Sequence, residues 1–113
     1  MSLFFGPTNV HIWSIGIEVD GGEPARAVAI AENTNPATIA AGCRQVFYYA
    51  DTARALAQLR GRDREAIRFL LTAERIAPQH LHASPIAQET TRALLERSGG
   101  AELRGLCERL GVA

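Results

Sequence analysis

Residues 46–78, VFYYADTARALAQLRGRDREAIRFLLTAERIAP, constrain the fold more than any other stretch of the chain. Val46, Tyr49, Ala50, Ala53, Leu56, Ala57 and Leu59 recur at three- and four-residue steps, with Arg54, Gln58 and Arg60 outside the stripe. That is the period of a helix with one buried face. Gly61 supplies a left-handed residue to end it, and Asp63 can cap the next helix. Ala66, Ile67, Leu70, Ala73 and Ala77 then form a second stripe, which Pro78 stops. Two helices joined by so short a turn fold back as an antiparallel hairpin.

The C-terminal part continues in the same manner. Ser84-Pro85 pairs a capping residue with a proline at the first helical position, and Ile86, Thr90, Ala93, Leu94 and Arg97 follow on one face up to Ser98-Gly99-Gly100. Leu103, Leu106, Cys107 and Leu110 keep helical spacing to Gly111. The beginning is harder to read. TNVHIWSIGIEVDGG, residues 8–22, is rich in β-branched residues and on local preference is a buried strand. However, GGEPARAVAIAENTNP parallels LRGRDREAIRFLLTAERIAP: Ala27 follows Gly22 by five residues as Ala66 follows Gly61, and the two glycines are 39 residues apart. That period suits a helical-hairpin repeat. Residues 23–34 are then the second helix of a first unit. Residues 8–20 are its first helix, capped by Thr8 or Asn9 after Pro7 and ended by Gly21-Gly22. Tertiary packing is expected to override the local β preference.

Residues 47–80 resemble a tetratricopeptide repeat (TPR). Gly61, Ala66, Leu70, Ala73 and Pro78 occupy the glycine, alanine, apolar, alanine and proline places in the second half of that motif. In the first half, Ala50, Ala53, Arg54 and Ala57 depart from its large aromatic, leucine, small residue and tyrosine. A broader likeness covers nearly the whole chain. FGPTNV before an apolar helix, the GEPARAV turn, ARALAQLRGRDREAIRFLLTAERIAP, a Ser-Pro helix and a closing LRGLCERLGV resemble the C-terminal region of actinobacterial helix-turn-helix regulators of the xenobiotic-response-element (XRE) type. The resemblance implies an all-α fold, a right-handed TPR-like array of five to six helices in antiparallel hairpins. It also implies a regulatory part of a longer regulator, whose DNA contacts belong to a helix-turn-helix domain not contained in these residues. It carries no catalytic residues.

Charge and cysteine usage agree with a module of this kind. Twelve acidic residues balance 12 basic ones, all arginine, so no overall field draws the chain to nucleic acid or an anionic membrane. Cys43 and Cys107 lack the spacing of a zinc motif and the density of a disulfide scaffold, which points to a reducing cytoplasm. No apolar run is long enough to span a membrane, and no signal peptide opens the chain. Phe4 and Phe5 have little to bury against unless something precedes them. Residues 1–113 are expected to form a single domain of suitable size for one core.

The first helices of hairpins in such an array line its concave surface, where ligands bind. Aligning the two units brings Asn9 and Ile12 from the first and Tyr48, Asp51, Ala55 and Gln58 from the second to that side. The expected occupant is a peptide, a protein, a small effector or a second copy of the chain. The expected core is Trp13, Ile17, Val28, Tyr49, Ala53, Leu56, Ala66, Leu70, Ala73, Leu94, Leu103, Leu106 and Leu110. Arg54, Arg60, Arg62, Arg64 and Arg68 gather near the hairpin turn, but Asp63 and Glu65 interrupt them, which favours local ion pairs over an anion grip. His80 and His82 have no third ligand nearby in sequence, so a metal-binding protein or small helical enzyme is the weaker alternative, and no cofactor or metal is expected. A stand-alone TPR-like adaptor is the nearer alternative. No catalytic motif is present, and without lysine there is no phosphate-binding loop.

Overall fold

The stretch of residues 8–20 is helical, as the repeat argument requires. The computed structural model describes residues 7–39 and 42–112, with side chains from Val10 onward, and every regular element among them is helical. In chain order these are α1 (Pro7–Asp20), α2 (Pro24–Glu32), a 3-10 turn (Pro36–Thr38), α3 (Gly42–Ala57), α4 (Asp63–Ile76), α5 (Pro78–His82), α6 (Pro85–Arg97) and α7 (Ala101–Leu110). The count exceeds the expected five or six because Pro78, instead of only stopping α4, opens the one-turn helix α5. His80 and His82 therefore sit on a helix rather than in a loop.

Local chemistry fixes the ends. Gly22 and Gly61 close the first two hairpin turns in the left-handed region, with φ of 81° and 78°. An added Cβ at either would meet nothing, so backbone conformation alone is what these turns ask of glycine. Each lies two residues before the next helix, and Ala27 and Ala66, five residues on, are both fully buried. The hydroxyl oxygen of Ser84 accepts from the Ala87 N–H at 3.2 Å, with Pro85 beginning α6. Asp63 departs from its expected role: Arg62 precedes α4, and the Asp63 carboxylate, in the first turn, accepts from Arg97 and Ser98.

α3 is the central helix. It packs most extensively against α4, and also against α1, α2, α5 and α6, while α6 pairs with α7. The Cα extents of 45 × 28 × 19 Å fit an elongated slab about two helix layers thick. One apolar core runs through it, with Ile15, Leu56, Leu70, Leu81, Leu94, Leu103 and Leu106 almost fully enclosed. Burying each such side chain stabilises the fold by roughly 1.5–3 kcal/mol. Between α3 and α4 the buried residues are largely small, Ala53, Ala66 and Ala73, so the two backbones approach closely. The buried hydroxyls of Thr52 and Thr91 are satisfied within their own helices, Thr52 donating to the Tyr48 carbonyl and Thr91 to the Ala87 carbonyl, each at 2.6 Å. Across the α4–α7 side, Glu74 accepts from Arg109 at 2.8 Å and pairs with His82 at 2.7 Å.

Two core expectations are corrected. Trp13 is 73% exposed and Ile17 62% exposed. α1 buries Ile12, Ile15 and Val19 against the body and turns Val10, Trp13 and Ile17 outward, so among the described residues only one of its two apolar faces has a neighbour. Tyr49 is half-buried beside the core, and the remaining expected core residues are buried.

Candidate functional site

α1 and α3 lie side by side and run in the same direction. Two contacts fix their register. Gly16 of α1 meets Asp51 of α3, where a Cβ would stand 3.1 Å from Asp51 Oδ2, and Asp20 of α1 accepts from Arg54 Nη1 of α3 at 2.8 Å. The absence of a side chain at Gly16 opens the crease between the helices and leaves room for the carboxylate. The resulting groove, about 350 Å³, is lined by Ile12, Trp13, Gly16, Ile17, Asp20, Arg44, Phe47 and Asp51.

Its walls are apolar and open to solvent. Trp13, Ile17 and Phe47, which is 56% exposed, are three of the five large apolar residues left exposed among the described residues; a fourth, Val10, continues the α1 stripe. Its floor is polar. Asp51 Oδ1 accepts from Arg54 Nη2 at 3.2 Å, and the same guanidinium spans to Asp20. Burial pushes the Asp51 carboxyl up, and the Arg54 charge and hydrogen bond offset only part of that. Arg54 Nε is buried without a hydrogen-bond partner, so this network is incompletely satisfied.

The expected site residues divide between the groove and the core. Ile12 and Asp51 come together in the groove. Tyr48 lies apart from the groove. It is buried between α2, α3 and α4, its hydroxyl donates to the Ala31 carbonyl at 3.0 Å, and its ring meets Tyr49 edge-on with centroids 4.9 Å apart. Ala55 is fully buried, and Gln58 is exposed just beyond α3, away from the groove residues. The side chain of Asn9 lies outside the described residues. Trp13, the only tryptophan and a possible partner anchor, was assigned with Ile17 to the core because α1 reads as apolar nearly all round and nothing in the sequence marks which of its faces lacks a neighbour; Phe47 of α3 was missed. The signal on α1 was the 10, 13, 17 spacing, which forms a stripe separate from 12, 15, 19.

Elsewhere, the polar residues hold the scaffold together. Arg62 forks onto Glu65 at 2.8 and 2.9 Å, which answers the expectation of ion pairs at the hairpin turn. A cleft of about 710 Å³ between α4 and α7 carries Asp63, Arg64, Arg68 and Glu102 among Ile67, Leu71 and Leu103, a surface of mixed charge with no group set apart. Burial pushes the Cys107 thiol up, away from the thiolate that nucleophilic or ligand chemistry needs. Among the described residues no three His, Cys, Asp or Glu side chains group as metal ligands, and no helix is long and apolar enough to cross a membrane. Comparison with family models, curated proteins and solved structures found no match for the chain.

Proposed function

We propose that the chain is a protein-interaction module, the regulatory part of a helix-turn-helix regulator of the XRE type, and that its partner docks in the α1–α3 groove. The observation that carries the docking reading is the gathering of Trp13, Ile17 and Phe47 around one groove with Val10 on the same stripe. Isolated exposed apolar residues are ordinary, whereas a contiguous patch with an exposed tryptophan is the usual chemistry of a docking surface. A TPR-like arrangement is the architecture that fits best. Gly22 and Gly61 share a conformation, Ala27 and Ala66 share a burial, and the first helices of successive hairpins, α1 and α3, lie side by side. In such arrays the first helices form the binding surface.

Capture from the source organism's lysate by the purified chain tests the docking reading, with Trp13→Ala/Phe47→Ala as the control. A protein held by the wild type and released by the variant supports it. Identical capture by both overturns it. The regulator assignment rests on the resemblance alone. A reading frame that continues upstream of Met1 into a helix-turn-helix domain supports it; a native start at Met1 would leave a stand-alone adaptor.

A further inference from the structure

We infer that α7 is a hinged strap, latched near its C-terminal end by Glu74, which swings out as a unit about Gly99–Gly100 while the rest of the fold stays closed. The device shares no residue with the α1–α3 groove.

The hinge has a fixed base. Up to Ser98 the chain is pinned. The Ser98 N–H donates to the Leu94 carbonyl at 2.7 Å, the Ser98 hydroxyl donates to Asp63, and Arg97 reaches both Asp63 and the Ala57 carbonyl. Two glycines follow, and α7 begins directly after them at Ala101. An added Cβ at either glycine would meet nothing, and Gly99 has no positive φ. Neither packing nor backbone conformation therefore asks for glycine at 99, and what it supplies is freedom to change conformation.

α7 is joined to the body unevenly. Among the described residues only α6 packs extensively against it. Its first turn stands across the cleft of about 710 Å³ from α4, whereas its last turn is fastened: Arg109 Nε and Nη2 fork onto Glu74 at 2.8 and 2.9 Å. His82 Nε2 of α5 approaches the same carboxylate at 2.7 Å, so Glu74 gathers α4, α5 and α7 at one point. Room for the fork comes from Gly105, where a Cβ would stand 3.1 Å from Arg109 Nη1. Glycine in mid-helix weakens α7 as an isolated helix, so its hold on the body depends the more on the latch. The inner face of α7 buries Leu103, Leu106, Cys107 and Leu110, and its outer face carries Glu102, Arg104, Glu108 and Arg109. A helix with one extensive packing partner, one polar tie and a glycine joint belongs to the class of segments that open before the whole fold does.

Cys107 reports the opening directly, because it is 3% exposed when α7 is closed. With Cys43→Ser removing the other thiol, labelling of Cys107 by an aromatic disulfide reagent is followed at mildly alkaline pH, with urea raised from none to just below the unfolding transition. The rate is expected to exceed what global unfolding allows and to vary little with urea, since opening exposes little surface. Glu74→Gln and Arg109→Gln are each expected to raise it about five- to tenfold. Gly99→Ala is expected to lower it about two- to fivefold by stiffening the joint. Tyr48→Phe, which acts between α2, α3 and α4, is expected to leave it unchanged. Labelling with the full urea dependence of global unfolding, or accelerated by Tyr48→Phe as much as by Glu74→Gln, overturns the strap. A thiol as reactive as in the unfolded chain overturns the latch, as do Glu74 and Arg109 variants labelled at the wild-type rate, and the inference falls with it.

Discussion

Arg97 at the end of α6 donates to the Ala57 carbonyl at the end of α3, 2.7 Å away and 40 residues back in the chain. The same guanidinium reaches Asp63 at the start of α4 at 2.8 Å, so one side chain ties together a helix C-terminus, the following helix N-terminus and the end of α6. The Ala57 carbonyl lies in the last turn of α3, where carbonyls have no partner in their own helix. Arg97→Ala is expected to lower unfolding stability by about 1 kcal/mol, toward the low end for a charge-assisted contact because the pair is partly exposed. Arg97→Lys should recover less than half, since a single ammonium cannot fork between two acceptors. Urea titration of the three proteins checks this, and equal stability of the lysine variant and the wild type would mean that charge alone matters.

Tyr48 and Ala31 illustrate a different balance. The Ala31 carbonyl accepts both from the Tyr48 hydroxyl at 3.0 Å and from the Thr34 N–H at 3.1 Å. Removing the hydroxyl leaves that carbonyl one partner, so Tyr48→Phe is expected to cost only about 0.5–1 kcal/mol. Tyr48→Ala also empties the space between α2, α3 and α4, and about 3–5 kcal/mol is expected. Thermal unfolding with a far-ultraviolet signal separates the two variants. A phenylalanine variant as damaged as the alanine one would place the value of Tyr48 in its hydroxyl.

This pair also shows where sequence reading stops. Helical spacing identified α3 and α4, Ser84 and Pro85 marked the start of α6, and the matched Gly22 and Gly61 correctly made a helix of the β-branched stretch from Thr8 to Asp20. Tyr48 and Tyr49 are one helical step apart, about 100° around the axis. Which ring enters the core depends on α2 and Phe69 of α4, set by packing beyond the helix itself. For α1 the sequence carries two apolar stripes of similar strength. Only tertiary structure reveals that Ile12, Ile15 and Val19 have a neighbour while Val10, Trp13 and Ile17 are left in solvent. The repeat offset puts Ile12 and Asp51 at equivalent positions of α1 and α3, and both line the groove, although it is Gly16 that meets Asp51.

The buried and paired carboxylates impose opposite pH dependences. Arg97 holds the Asp63 carboxyl below its ordinary value, and Arg109, with His82, does the same for Glu74. A folded-state value below the unfolded one means stability that is present above the unfolded value and is lost as pH falls through the folded one. Burial raises Asp51, so its ionisation opposes folding at neutral pH and protonation relieves that opposition. Asp51→Asn is therefore expected to be neutral or stabilising at pH ~7, by less than about 1 kcal/mol, with the gain vanishing as pH falls toward ~4. Glu74→Gln should destabilise at neutral pH and flatten the acid limb. Denaturation across that pH range measures both. A clear loss of stability in Asp51→Asn at neutral pH would show that its bond to Arg54 outweighs its desolvation.

The two hairpin turns provide matched substitutions that test whether the first two hairpins are built alike. Gly22 and Gly61 have nearly the same positive φ, and nothing lies where a Cβ would be added. Alanine at either site therefore encounters no clash and carries only the backbone cost of a left-handed residue, about 1–2 kcal/mol. Ala27 and Ala66, five residues further on, are fully enclosed, so leucine at either must displace packed neighbours at roughly 1–3 kcal/mol. Exposed Ala29 is the control, where leucine adds no buried volume and is expected to change stability by less than ~0.5 kcal/mol. Chemical denaturation of the five single variants should give two equal pairs and one silent change. A turn or core position in the first hairpin that costs far less than its counterpart 39 residues later would mean that α1 and α2 are held mainly by contacts with α3, and that the repeat is one of sequence without equal mechanical roles.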